Sequence, residues 1–135
     1  MNLHLQSSKS DLQAQIAITG SKSETNRLLL LQALYPNLLL ANTSNSDDSQ
    51  VMQKALKGNE EIVDIHHAGT AMRFLTAYFA VNEGREVVLT GSSRMKERPL
   101  KVLVETLQQL GAQISYENEV GYPPIRIKGQ KITNN

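Results

Sequence analysis

The chain has 135 residues, enough for one ordinary domain or part of a larger one. Fourteen Lys and Arg against thirteen Asp and Glu leave a formal charge of +1, which argues against a nucleic-acid or membrane-surface binder held by its bulk field. Cysteine is absent, so disulfides and thiolate metal sites are excluded and a reducing compartment is permitted.

The start, "MNLHLQSSKS", has no apolar core of a signal peptide. "QAQIAIT" (13–19) alternates polar and apolar residues and predicts a strand. Residues 21–34 predict a helix, with Ser21 and Glu24 spaced as a capping box. The greasy run Leu28 to Ala41 is broken by Gln32, Pro36 and Asn37, too short and interrupted to span a bilayer. A soluble, cytoplasmic protein is expected. Pro36 stops the helix, "NLLLANT" (37–43) predicts a second strand, and 44–59 a helix closing on Gly58.

The pattern then recurs. A strand is predicted at 61–67, an apolar helix at 68–81 after a Gly-Thr turn, a strand at 85–91 and a helix at 92–111. A hairpin over 112–118 and 123–129 closes the unit, with Tyr122-Pro123-Pro124 at its corner. Arg27 and Arg73 are 46 residues apart, as are Asp48 and Arg94, which suggests a duplicated unit. The second unit reads βαβαββ, and the first lacks its hairpin. The expected class is mixed α/β, and the tail "QKITNN" reads as polar and frayed.

The polar residues cluster where helices begin. "GSKSETNR" (20–27) puts Gly20, Ser21, Lys22, Ser23 and Arg27 at the mouth of the first helix, where unpaired N–H groups and the dipole favour an anion. Ser23 and Arg27, four apart, can share a helix face. "AGTAMR" (68–73) repeats the arrangement with Gly69, Thr70 and Arg73, and "SSRMKERP" (92–99) carries Arg94, Lys96 and Arg98. Each cluster alone reads more readily as a cap or a solvated charged face than as an anion site, and "SDD" (46–48) as a cap. Three basic clusters at corresponding places in two repeats favour convergence on one anion site. His66 and His67, adjacent in a predicted strand, should point to opposite faces, which disfavours joint metal binding; one of them can line the cleft.

"GSKSETNR", "SDD", "AGTAMR" and "RMKERPL", in this order, closely resemble the 5-enolpyruvylshikimate-3-phosphate synthase (3-phosphoshikimate 1-carboxyvinyltransferase) family. The resemblance runs from about residue 3 to residue 130. It implies the enolpyruvyl transferase fold of repeated βαβαββ units, with this chain an N-terminal piece about a third of a family member's length. Residues 1–19 would then serve the domain completed by the missing C-terminal part. Residues 20–130 would form two units of the other domain, and 131–135 a tail.

The activity implied is transfer of the enolpyruvyl group of phosphoenolpyruvate to the 5-hydroxyl of shikimate 3-phosphate, releasing phosphate. It implies no metal and no cofactor, a cytoplasmic monomer at full length, and an enzyme targeted by glyphosate. By position, Lys22 would be catalytic and meet both substrates, Ser23 and Arg27 would meet shikimate 3-phosphate, and Gly69 and Arg94 phosphoenolpyruvate. Asp48, His67, Thr70 and Arg73 would line the cleft. The proton-transferring carboxylates would lie beyond residue 135, so the piece alone should be inactive. The chain departs from the pattern at His67 (commonly Asn), at Phe74 (commonly Pro) and in its short segment between Asp48 and Gly69. Two alternatives stand beside this reading: a UDP-N-acetylglucosamine enolpyruvyl transferase, against which "SETNR" argues, and a non-catalytic phosphate-binding module.

Overall fold

A computed structural model describes residues 2–6, 11 and 13–132. Five helices and four strands follow in the order α1 (Lys22–Leu34), α2 (Asp47–Lys57), β1 (Ile62–Asp64), α3 (Gly69–Val81), β2 (Glu86–Thr90), α4 (Ser93–Lys96), α5 (Lys101–Gln109), β3 (Gln113–Tyr116) and β4 (Ile125–Lys128). The strands form one mixed sheet in the order β1-β2-β4-β3. β1 and β2 are parallel, joined across α3, and the β3–β4 hairpin adds to β2 antiparallel. The second unit is thus a βαβαββ unit, as its pattern predicts.

Alternation places the core. Val87, Leu89, Ile125, Ile127 and Ile114 turn inward from the sheet, and α3 lays Met72, Leu75, Phe79 and Ala80 over them. Val104 and Leu107 of α5, Met52 and Ala55 of α2 and Leu29 of α1 complete it.

Four expectations need correction. Residues 13–19 and 37–43 form no strand: both run as irregular chain, with Ile18 82% and Leu39 92% exposed. A strand needs a neighbour to take its backbone groups, and among the described residues neither segment has a strand partner, the Thr19 hydroxyl meeting Asn45 Oδ1 at 3.3 Å only through side chains. The helix expected over 92–111 is two, α4 and α5, with Pro99 between them. Proline biases the residue before it away from helical geometry and brings no N–H of its own. The strand expected to reach His67 ends at Asp64, whose Oδ1 accepts from the His66 N–H at 2.8 Å, and His66 turns with φ 48°. The opposite-face argument for the two histidines therefore fails, because they sit in a turn. Thr70 is not a cap either: the cap position of α3 is Ala68, and Gly69 and Thr70 form the first helical turn.

Among the described residues, no helix is long and apolar enough to cross a membrane.

Candidate functional site

Helices α1, α2 and α3 begin close together, and their first turns border one cleft of about 450 Å³. Lys22 is the first residue of α1, Asp48 the second of α2, and Gly69 and Thr70 open α3. Arg73, His67 and Arg98 complete the polar wall, and Met72, Phe74, Met95 and Leu100 supply an apolar floor.

The three helix ends are not equivalent. Ser21 Oγ accepts from Glu24 N at 3.4 Å, and Ser46 Oγ accepts from Ser49 N at 3.4 Å, so α1 and α2 are capped by their own side chains. α3 has no side-chain cap. Gly69 N donates to the His67 carbonyl at 2.9 Å, and the backbone of Thr70, which lines the cleft, follows it with no side-chain cap.

Charge is distributed to match. Outside the cleft, Arg126 donates to Glu117 at 2.8 Å and to Glu86 at 3.1 Å, and the hydrogen bond accepted by Glu117, followed by that accepted by Glu86, raises the guanidinium above its ordinary range. Around the cleft, Lys22 meets Asp48 at 3.4 Å. Among the described residues, Arg73, Arg94 and Arg98 meet no carboxylate. Arg73 is steered by the Pro99 carbonyl, which accepts from its NH2 at 3.3 Å. Unneutralised guanidinium groups beside an uncapped helix end suit a phosphate or carboxylate.

The sequence-predicted residues do not all gather here. Lys22, Asp48, His67, Gly69, Thr70 and Arg73 line the cleft. Arg94 lines an adjoining cavity of about 220 Å³, together with His67, Met95 and Arg98. Ser23 and Arg27 share a face of α1 as their spacing requires, Arg27 NH1 donating to Ser23 Oγ at 2.7 Å, but they do not line the cleft. Among the described residues, no group of three or more metal-ligating side chains comes together.

Two features go beyond the residues that the motifs assign to substrates. Arg98, which the sequence groups with Arg94 and Lys96, borders both cavities, and a Cβ built on Gly69 would lie 2.5 Å from its NH1. The available signal was the four-residue spacing of Arg94 and Arg98. The second is a polar clamp between α1 and α2. Ser49 Oγ donates to Asn26 Oδ1 at 2.8 Å in a buried setting, and Ser44 N donates to Thr25 Oγ1 at 2.9 Å. A buried Asn amid leucines is its sequence trace. The clamp holds the starts of α1 and α2 in register, and so places Lys22 opposite Asp48.

Comparison with known proteins agrees with this architecture. The family profile of EPSP synthase (3-phosphoshikimate 1-carboxyvinyltransferase) matches residues 42–134. The chain belongs to the EPSP synthase family. A 3-phosphoshikimate 1-carboxyvinyltransferase of Bacteroides fragilis (strain YCH46) is 46% identical over 131 residues, covering 96% of this chain and 32% of the relative. One from Buchnera aphidicola subsp. Baizongia pistaciae is 41% identical over 147 residues, covering 89% and 34%. The Buchnera alignment is longer yet takes in less of this chain, so it carries insertions that the Bacteroides alignment does not need. The EPSP synthase of Acinetobacter baumannii has the same fold, with a TM-score of 0.67 at 19% identity over 84% of this chain and 31% of that one. The chain thus spans about a third of the length of the relatives it matches.

Proposed function

We propose that this chain supplies one wall of the active cleft of a 3-phosphoshikimate 1-carboxyvinyltransferase. The observation that carries the reading is the meeting of three separate motifs, at Lys22, Asp48 and Gly69–Arg73, on one electropositive cleft at the starts of three helices. The substrates would be shikimate 3-phosphate and phosphoenolpyruvate, both anionic. The hydroxyl at carbon 5 of the first adds to the enol carbon of the second, and the tetrahedral adduct loses phosphate.

In this reading Lys22 holds phosphoenolpyruvate and the growing charge of the adduct, at a place where it can exchange its Asp48 partner for an oxyanion. Gly69 lets the oxyanion approach the uncapped start of α3. Arg73 and Arg94 neutralise it from the flank, and Ser23 with Arg27 bind shikimate 3-phosphate from α1. Residues beyond 135 would supply the opposite wall and the proton-transferring groups. Residues 1–19 would belong with that remainder, 20–130 would make two units of one domain, and 131–135 would be a tail. The complete protein would be a cytoplasmic monomer of the enzyme class that glyphosate targets at the phosphoenolpyruvate subsite, where His67 and Phe74 depart from the usual pattern.

The test is a steady-state assay of the complete protein with both substrates, beside the 135-residue chain alone. Product is expected only from the complete protein. The isolated chain should bind shikimate 3-phosphate with an affinity nearer millimolar than micromolar, roughly 4 kcal/mol weaker than a closed cleft. Its amide resonances at 20–27 should still shift. Turnover with a UDP-sugar in place of shikimate 3-phosphate, or no turnover at all, would sink the reading.

A further inference from the structure

His67 borders the cleft, the adjoining cavity and, on the α2 side, a third cavity of about 380 Å³ that Asp47 and Asp48 also line. Two turns fix it there. Ser92 N donates to His66 O at 3.1 Å, tying the turn after β1 to the turn after β2. His67 Nδ1 then lies 2.8 Å from Ser92 Oγ.

The Ser92 hydroxyl has a second task. Its oxygen accepts from Met95 N at 3.3 Å as the cap of α4. Capping uses one of its two lone pairs, so toward His67 the hydroxyl can donate its proton or accept with the other lone pair, and only donation gives that proton a partner among the described residues. Among the described residues, His67 Nδ1 is the acceptor within reach of that proton. An imidazole that accepts at Nδ1 carries its own proton on Nε2. The other residues of the adjoining cavity are Arg94, Met95 and Arg98, with no carboxylate among them. A fixed N–H beside two guanidinium groups is a directed donor in a place that already attracts an oxyanion.

We propose that His67, locked as its Nε2–H tautomer by Ser92, is an anion-binding residue that donates to an oxyanion lodged beside Arg94 and Arg98. This rests on reading the cleft as a phosphorylated-substrate site and adds a donor whose direction is set by the cap of α4. It also makes a specific demand on the ring: the Nδ1–H tautomer would direct a lone pair, not a proton, toward the anion.

The experiment uses the full-length protein labelled with 15N-histidine at about pH 8, above the usual imidazole titration. The signals lost in His67→Gln identify the ring. They should show a protonated Nε2 and a bare Nδ1. Ser92→Ala should release the ring into exchange between tautomers. Ser92→Asp, which still caps Met95 but can only accept from Nδ1, should flip it.

Inorganic phosphate and pyruvate then serve as probes of the two oxyanion types. A Nε2 shift with phosphate assigns the site to a phosphoryl group, and a shift with pyruvate assigns it to a carboxylate. With the anion that shifts Nε2, His67→Ala should weaken binding about fivefold to tenfold, and His67→Gln, which keeps an N–H of similar reach, by less than about twofold. A wild-type Nδ1–H tautomer, a Nε2 silent to both anions, or a His67→Ala affinity within about twofold of wild type would overturn the proposal. If the transferase reading alone fails, no enolpyruvyl product forms while the anion shift at His67 remains. If this inference alone fails, product forms and His67→Ala leaves anion affinity unchanged.

Discussion

Helices α1 and α3 are both 13 residues long and hold equivalent places in the repeat, yet they bury very different faces. α3 buries Ala71, Met72, Leu75, Thr76, Phe79 and Ala80 against the sheet. α1 buries Thr25, Asn26 and Leu29, and leaves Leu31 at 44% and Leu34 at 50% exposed. Composition does not explain this, since α1 carries four consecutive leucines. The difference lies behind each helix. α3 rests on a sheet whose strands have partners, whereas the extended segments flanking α1 pair with nothing among the described residues. An apolar helix is buried only as far as its unit's sheet is built. Leu29 carries α1 into the core, and the Asn26–Ser49 and Thr25–Ser44 bonds add a polar hold.

The sharpest way to break this comparison is truncation on both helices. Phe79→Ala should cost the chain about 3–5 kcal/mol in denaturant unfolding. Leu31→Ala should cost less than about 0.5 kcal/mol, as at an ordinary surface position. Equal losses would mean that α1 is packed as deeply as α3.

Function should invert the order. In the full-length protein, Lys22→Ala is expected to lower kcat/KM about a hundredfold or more, equivalent to roughly 2–4 kcal/mol of transition-state stabilisation. Its midpoint of unfolding should hardly move, because the Lys22 side chain is 53% exposed and its pair with Asp48 is worth at most about 1 kcal/mol. Kinetics and melting on one sample would separate the two, and a loss under about threefold would make Lys22 a solvated charge.

Ser49→Ala tests the clamp. It strips Asn26 of its hydroxyl donor in a setting where Asn26 Nδ2 already has no partner, so about 1–3 kcal/mol of stability should be lost. Exchange protection should fall first in α1 and α2, with the β2–β4 ladder retained. Uniform loss across the chain would show that the two units melt as one.

The smallest expected effect is at Gly69. Its new methyl meets the far end of Arg98, which can swing aside, so Gly69→Ala should change stability by less than about 1 kcal/mol. Displacing that guanidinium should raise the KM for phosphoenolpyruvate and weaken glyphosate more than it raises the KM for shikimate 3-phosphate. Equal changes in all three would confine Gly69 to backbone geometry.

Much of this was legible because it is local. Ser21 three residues before Glu24, the strand at 85–91 and the helix stop at Pro36 each depend on neighbours a few residues away, and the elements of the second unit follow in the predicted order, with the first strand ending early at Asp64 and the last helix divided at Pro99. The strands at 13–19 and 37–43 carried the same quality of signal and did not form, because pairing is a property of two segments. Ser23 and Arg27 share a face of α1, as a spacing of four requires, and that spacing says nothing of how the face stands to the cleft.

The sequence by itself determined the class of the fold, the starts of three helices and the polar residues placed on them. These follow from side-chain periodicity, capping chemistry and the conformational limits of Gly and Pro, all written in contiguous residues. Only the tertiary structure decided that Lys22, Asp48 and Gly69 share one cleft, that Arg98 borders it and Arg94 stands one cavity away, and that Ser92 reaches His67 across 25 positions. Those distances depend on how the turns after β1 and β2 are laid side by side by the parallel pairing of Val63 with Leu89 and Asp64 with Thr90, and strand register is chosen by packing across the sheet rather than by either strand alone.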